Sequence, residues 1–286
     1  MSKQTNAIAI VDCPRDAIQG IPSFIPTDKK ISYLNGLLQS GWFDFLDFGS
    51  FVSPTAVPQL ADTLAVWDGL DKTTKTKFIA IIANEKGAEI GSSLEGLDYL
   101  GYPFSVSDTF QQRNTNRSTA AAFESVLSSK DILMQKNGPE LMIYISMAFG
   151  NPYGDLWHPE IVLDWMEKLI GIGIRKFSIA DTTSQASAGD VKRLLLQIGE
   201  SFPDIALSIH LHSRSETALA KVNAAFDAGC RTFEGAIMGY GGCPFAQDDL
   251  VGNIPSELLL KRFSAIHDTQ VIRMMENFQR LIARDV

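Results

Sequence analysis

Short apolar runs alternate with longer amphipathic stretches along the whole chain. Ala7 to Val11 reads as a first strand, and Thr27 to Gln39 as a helix whose apolar stripe is Ile31, Leu34, Leu37 and Leu38, with Thr27 as its N-cap. Phe43 to Phe48, Lys77 to Ala83, Tyr102 to Ser107 and Leu141 to Ala148 supply four more strands. Ser118 to Gln135 is a helix between the last two. The next helix opens at Pro159, where a missing N–H costs nothing, and runs to Ile170, ended by Gly171 and Gly173. Lys176 to Asp181, Ala206 to His212 and Thr232 to Ala236 complete a set of eight strands. Ser215 to Ala228 forms a helix closed by Gly229. Two further helices, Ser256 to Ile266 and Gln270 to Arg284, have no strand between them. Strands separated mostly by helices predict parallel βαβ units, and eight of them predict an α/β (β/α)8 barrel with extra C-terminal helices packed on it.

Length agrees with that reading. The 286 residues suit one barrel domain of roughly 250 residues, and no Pro/Ser-rich linker or charge block divides them. The net charge of −8 argues against a nucleic-acid partner, since phosphate backbones select basic surfaces. It leaves anionic small molecules open, because a local cationic site outweighs a distant net charge. The three cysteines, Cys13, Cys230 and Cys243, lack the spacing of a disulfide framework or a zinc cluster. The first residues lack the pattern of a signal peptide, and no apolar run reaches the roughly 20 residues of a membrane span. A reducing cytoplasm is the compartment expected.

In barrels of this kind the chemistry lies where the strands end, and polar residues do collect there. The first strand ends in Pro14-Arg15-Asp16. The second carries Asp47 and runs into Gly49-Ser50-Phe51-Val52-Ser53-Pro54. The sixth ends in Asp181-Thr182 and the seventh in His210-Leu211-His212. After the eighth come Gly241-Gly242-Cys243-Pro244 and Gly252-Asn253. Alternation along a strand puts His210 and His212 on one face, where they either bind a divalent metal with a carboxylate such as Asp16 or are half-buried imidazoles bonded to backbone. Arg15 has two readings, an oxyanion stabiliser or a barrel-end ion pair. Asp47 and Asp181 could equally be turn or cap residues. Cys243, between glycines and proline, either transfers a proton or is a small packed side chain.

Taken in order, these segments resemble the DRE-TIM metallolyases, and in particular the 3-hydroxy-3-methylglutaryl-CoA lyase family. The segments that carry the resemblance are Pro14-Arg15-Asp16 with Gln19, Ser50 to Pro54 with Val57-Pro58-Gln59 and Ala61-Asp62, Asp181-Thr182, His210-Leu211-His212, Gly241 to Ala246, and Gly252-Asn253. The resemblance implies Mg2+ or Mn2+ held by Asp16, His210, His212 and Asn253. It implies an acyl-CoA substrate bound through Arg15 and Gln19, and catalytic roles for Arg15, Asp47, Asp181 (acid/base) and Cys243 (proton transfer). It also implies a homodimer and cleavage to acetyl-CoA and acetoacetate. The chain departs from the family at Asp47, where glutamate is usual, and at Gly20, Pro22, Asn151 and Ser213. These departures fall on substrate-facing loops and keep a related 3-hydroxyacyl-CoA in view. Two other readings stand beside it: a condensing enzyme of the isopropylmalate or homocitrate synthase type, and a barrel that binds acyl-CoA without turnover.

Overall fold

A computed structural model describes residues 7–242 and 251–283. Eight parallel strands close on themselves in sequence order: β1 Ala9–Asp12, β2 Phe45–Ser50, β3 Lys77–Ile81, β4 Tyr99–Ser105, β5 Glu140–Ser146, β6 Lys176–Asp181, β7 Ala206–Leu211 and β8 Thr232–Gly235. The outer ring is α1 Pro14–Gln19, α2 Thr27–Ser40, α3 Thr63–Asp68, α4 Glu85–Ser92, α5 Asp108–Thr115, α6 Thr119–Gln135, α7 Pro159–Gly171, α8 Ala188–Ser201 and α9 Ser215–Asp227. The expected C-terminal helices are α10 Ser256–Phe263 and α11 Asp268–Ile282, with α11 packed beside α2. The closed barrel predicted from the strand count is therefore the fold.

Strand parity organises everything that follows. The interior is lined by alternate residues such as Val11, Ile79, Tyr99, Met142 and Tyr144, while the opposite faces join the large core beneath the helices. Because both faces are covered, the strands read as continuous apolar runs rather than as alternating ones.

Three local expectations change. β4 begins at Tyr99, not Tyr102. Gly101 hides the start, because a Cβ there would come within 2.6 Å of the Tyr144 ring and 2.7 Å of Ile81, so the inward position is reserved for glycine. β2 runs two residues further than expected and shifts register between Asp47 and Gly49. Helix α2 starts on Thr27 with Pro26 at the cap, and the Thr27 hydroxyl donates to Asp62 Oδ2 at 2.8 Å instead of capping.

Candidate active site at the barrel mouth

Immediately after β1 the chain turns into α1, with Pro14 at the first helical position. The Pro14-Arg15-Asp16 segment, expected as a strand end, is thus the start of a short helix. Helical spacing then gathers three side chains. Gln19 Nε2 donates to Asp16 Oδ1 at 2.6 Å, and Arg15 Nη1 reaches both Asp16 Oδ1 and Gln19 Oε1 at 3.2 Å. Arg15 also grips Asp47 with two nitrogens, Nη2 at 2.5 Å and Nε at 3.0 Å from Oδ2. Asp47 is fully buried. Burial pushes its pKa up to about 6, against the pull of the neighbouring guanidinium.

From β7, His210 and His212 face the same space. One ligand atom each from Asp16, His210 and His212 lie within 4.8 Å of one another. Each imidazole is held by its Nδ1: His210 Nδ1 lies 3.1 Å from Glu234 Oε2, and His212 Nδ1 lies 2.9 Å from the Val251 carbonyl. A carbonyl accepts only, so His212 donates from Nδ1 and keeps its Nε2 lone pair. Burial and the nearby His210 push the His212 pKa down to about 4, so this ring is neutral at pH 7 and can act as a ligand. Burial alone would raise the Asp16 pKa, but Arg15 and the two histidines outweigh it and hold Asp16 below its ordinary value, as a carboxylate.

The fourth group arrives from 237 positions along the chain. His212 forms an antiparallel bridge with Asn253; Ser213 N–H donates to Gly252 O, and Ile254 N–H to Leu211 O. This return segment brings Asn253 Nδ2 to 2.5 Å from Asp16 Oδ2 and 2.8 Å from Tyr240 O. The packing demands glycine beside it. At Gly241 (φ +108°) a Cβ would lie 2.6 Å from Asn253 Nδ2 and 2.8 Å from Asp16 Oδ2. Two imidazoles, a carboxylate and a primary amide make a mixed N/O donor set that fits a divalent cation.

These groups open onto one cavity of about 420 Å³, also lined by Gln19, Ser50, Asn84, Tyr144 and Thr182 and, from α5 and the turn after it, by Arg113 and Arg117. An acidic protein therefore places two arginines at its mouth, Arg117 being paired with Glu85 at 3.3 Å. Of the site residues expected from sequence, Arg15, Asp16, Gln19, His210 and His212 line this cavity directly. Asn253 reaches Asp16, and Asp47 sits behind Arg15. Cys243 lies outside the described residues.

Asp181 is placed differently. On β6 the even positions face the axis: Ser178 contacts Glu234 there and Ala180 lines the cavity. Asp181 therefore points toward the helices. It pairs with Lys221 Nζ at 2.9 Å and accepts the N–H groups of Gln185 and Ala186. Asp181 is therefore not among the residues lining the cavity, and its hydrogen bonds anchor the strand end. Ser213 is likewise turned from the site, toward Thr217, so that departure from the family pattern leaves the cavity wall unchanged. Gln59 and Asp62 also prove structural: Gln59 bonds the backbone of Ile21, Ser23 and Ile25, and Asp62 pairs with Lys30.

Sequence reasoning missed Glu234. Its carboxylate is fully buried inside the barrel, with Ser178 Oγ and Ser208 Oγ each 2.6 Å from Oε1. The signal was available in register: Glu234 pairs with His210 across β7 and β8. Lys221, within an unremarkable helical pattern, offered no comparable signal.

Comparison with known proteins identifies the family. Residues 8–282 match the HMGL-like family model. The chain is 33% identical over 273 residues to the (R)-citramalyl-CoA lyase of Chloroflexus aurantiacus, covering 91% of this chain and 84% of that one. It is 32% identical over 234 residues to a hydroxymethylglutaryl-CoA lyase of Bacillus subtilis, covering 82% and 77%. Among solved structures, an HMG-CoA lyase from Acinetobacter baumannii, in complex with coenzyme A and 3-methylmalate, superposes with a TM-score of 0.89 at 28% identity, over 100% of this chain and 94% of that one. The chain belongs to the HMGL-like family, and the relatives it matches are acyl-CoA lyases.

Proposed function

We propose that the protein is a divalent-metal-dependent carbon–carbon lyase that cleaves 3-hydroxy-3-methylglutaryl-CoA, or a related 3-hydroxyacyl-CoA, releasing acetyl-CoA. The observation that carries this is the convergence of Asp16, His210 and His212 ligand atoms within 4.8 Å, with Arg15 lining the same cavity. Names borne by relatives on both sides of the substrate question, glutaryl and citramalyl, share a tertiary 3-hydroxyl and a thioester. That shared chemistry is what the site must handle.

Cleavage removes a proton from the 3-hydroxyl, breaks the C2–C3 bond and leaves the electron pair on the acetyl thioester as an enolate, which is then protonated on carbon. Asp16, His210, His212 and Asn253 would hold Mg2+ or Mn2+, which supplies Lewis acidity to the hydroxyl and orients the substrate. Arg15, fixed by Asp47 and steadied by Gln19, presents its donors to the thioester oxygen as charge develops there. Asp47 positions Arg15. Proton delivery to the acetyl carbon is assigned to Cys243 through the family resemblance. Arg113 and Arg117 give the cavity a positive side suited to anionic groups of an acyl-CoA. A cytoplasmic homodimer, drawn from cysteine usage and the resemblance, belongs to the same proposal.

The test is a pair of assays on the purified protein with Mg2+ and a thiol reductant: acetoacetate from 3-hydroxy-3-methylglutaryl-CoA and pyruvate from citramalyl-CoA. Metal-stimulated cleavage of one supports the reading and names the substrate. Free thiol released from acetyl-CoA plus a 2-oxo acid, with neither cleavage, would replace it with the condensing reaction. Tight thioester binding without turnover would replace it with a binding barrel.

A further inference from the structure

We infer that Glu234 is a positioning residue that locks His210 into the Nδ1–H tautomer and aims Nε2 at the barrel mouth. This rests on the metal-dependent reading above. Glu234 lies in register with His210 on the neighbouring strand β8, its side chain completely buried. Three donors converge on it. Ser178 Oγ and Ser208 Oγ, from adjacent strands, each lie 2.6 Å from Oε1, and His210 Nδ1 lies 3.1 Å from Oε2. The Cys13 thiol adds a weak contact to Oε2 at 3.9 Å. The two serines tie down one oxygen and thereby orient the other toward the imidazole. An ionised carboxylate only accepts hydrogen bonds, so the proton between it and His210 resides on Nδ1. The ring is edge-on to Tyr144, with centroids 6.1 Å apart, which restrains its tilt.

Stability does not explain such a group. A buried carboxylate with its partners is commonly replaceable by apolar residues at no loss, and this one sits in an interior otherwise lined by Val11, Ile79, Met142 and Tyr144. What an apolar residue could not do is hold the tautomer of a ligand histidine. Partners of this kind set ring orientation and basicity in metal sites.

The experiment measures Mn2+ binding to the full-length protein by the loss of the free-ion EPR signal, alongside histidine 15N spectra of the metal-free protein. Glu234→Ala should weaken Mn2+ binding about 10- to 100-fold and move the His210 nitrogens from a single Nδ1–H tautomer to a mixture. Glu234→Gln, whose amide oxygen still accepts from Nδ1–H, should restore the tautomer and most of the affinity. Should the alanine variant not fold, the double variant Ser178→Ala/Ser208→Ala frees the carboxylate while keeping it, and should also weaken binding. Wild-type affinity with an unchanged His210 tautomer in the folded Glu234→Ala protein, or in the serine pair, overturns the role of Glu234 and leaves the lyase reading intact. Failure of the unmodified protein to bind Mn2+ overturns the metal reading itself.

Discussion

The inner and outer faces of the same strands carry two sets of buried charges with opposite uses. Inward lie Asp47, His210, His212 and Glu234, joined at the mouth by Arg15 and Asp16. Outward lie Asp12, bonded to Ser256, and Asp181, bonded to Lys221. Both sets are buried and hydrogen-bonded, and both contain perturbed carboxylates. Burial alone therefore does not mark chemistry; direction does. The inward set shares a cavity, whereas each outward carboxylate is matched to one side chain from a helix, Ser256 or Lys221.

The largest effect should come from the inward set. His210→Ala should abolish Mn2+ binding and lower kcat by about 10³-fold or more; activity retained without bound metal would break the contrast. Asp181→Ala should do the reverse. Leaving Lys221 buried and unpaired should cost about 3–5 kcal/mol of stability, read by urea unfolding, with kcat at permissive temperature largely intact. A collapse of kcat in a well-folded Asp181 variant would return this residue to the chemistry. Arg15→Lys sharpens the inward side: a lysine cannot span both Asp47 contacts, and kcat should fall about 10²-fold with little change in Mn2+ affinity.

The smallest effect concerns Asp12, whose pKa burial raises from 3.8 to about 7 despite the Ser256 hydrogen bond. The folded state thus keeps a proton that the unfolded chain releases at lower pH. This contribution to stability is present below about pH 4 and is lost as pH rises to about 7. Asp12→Asn should consequently raise stability at pH 8 by at least about 1 kcal/mol and leave it nearly unchanged at pH 4. Equal shifts at both pH values would mean that folding leaves the Asp12 pKa unchanged.

Much of this was legible in sequence. β6 falls on Lys176–Asp181 as expected, because its apolar run is bounded by glycine turns on one side and a polar end on the other. The pair His210 and His212 was legible for a local reason: two residues apart on a strand, they must share a face. Arg15, Asp16 and Gln19 were visible as residues, but not their helical grouping, since Pro14 after an apolar run reads as a strand end.

Local patterning by itself determined the eight-strand frame, the closed barrel and the cluster of polar residues at the strand ends, because strand and helix periods are set by neighbours a few positions away. Only tertiary structure decided that Asp181 turns outward to Lys221, that Asn253 returns to Asp16, and that Glu234 stands behind His210. Those partners come from separate segments, and closing a sheet into a barrel is what converts distant residues of like parity into neighbours.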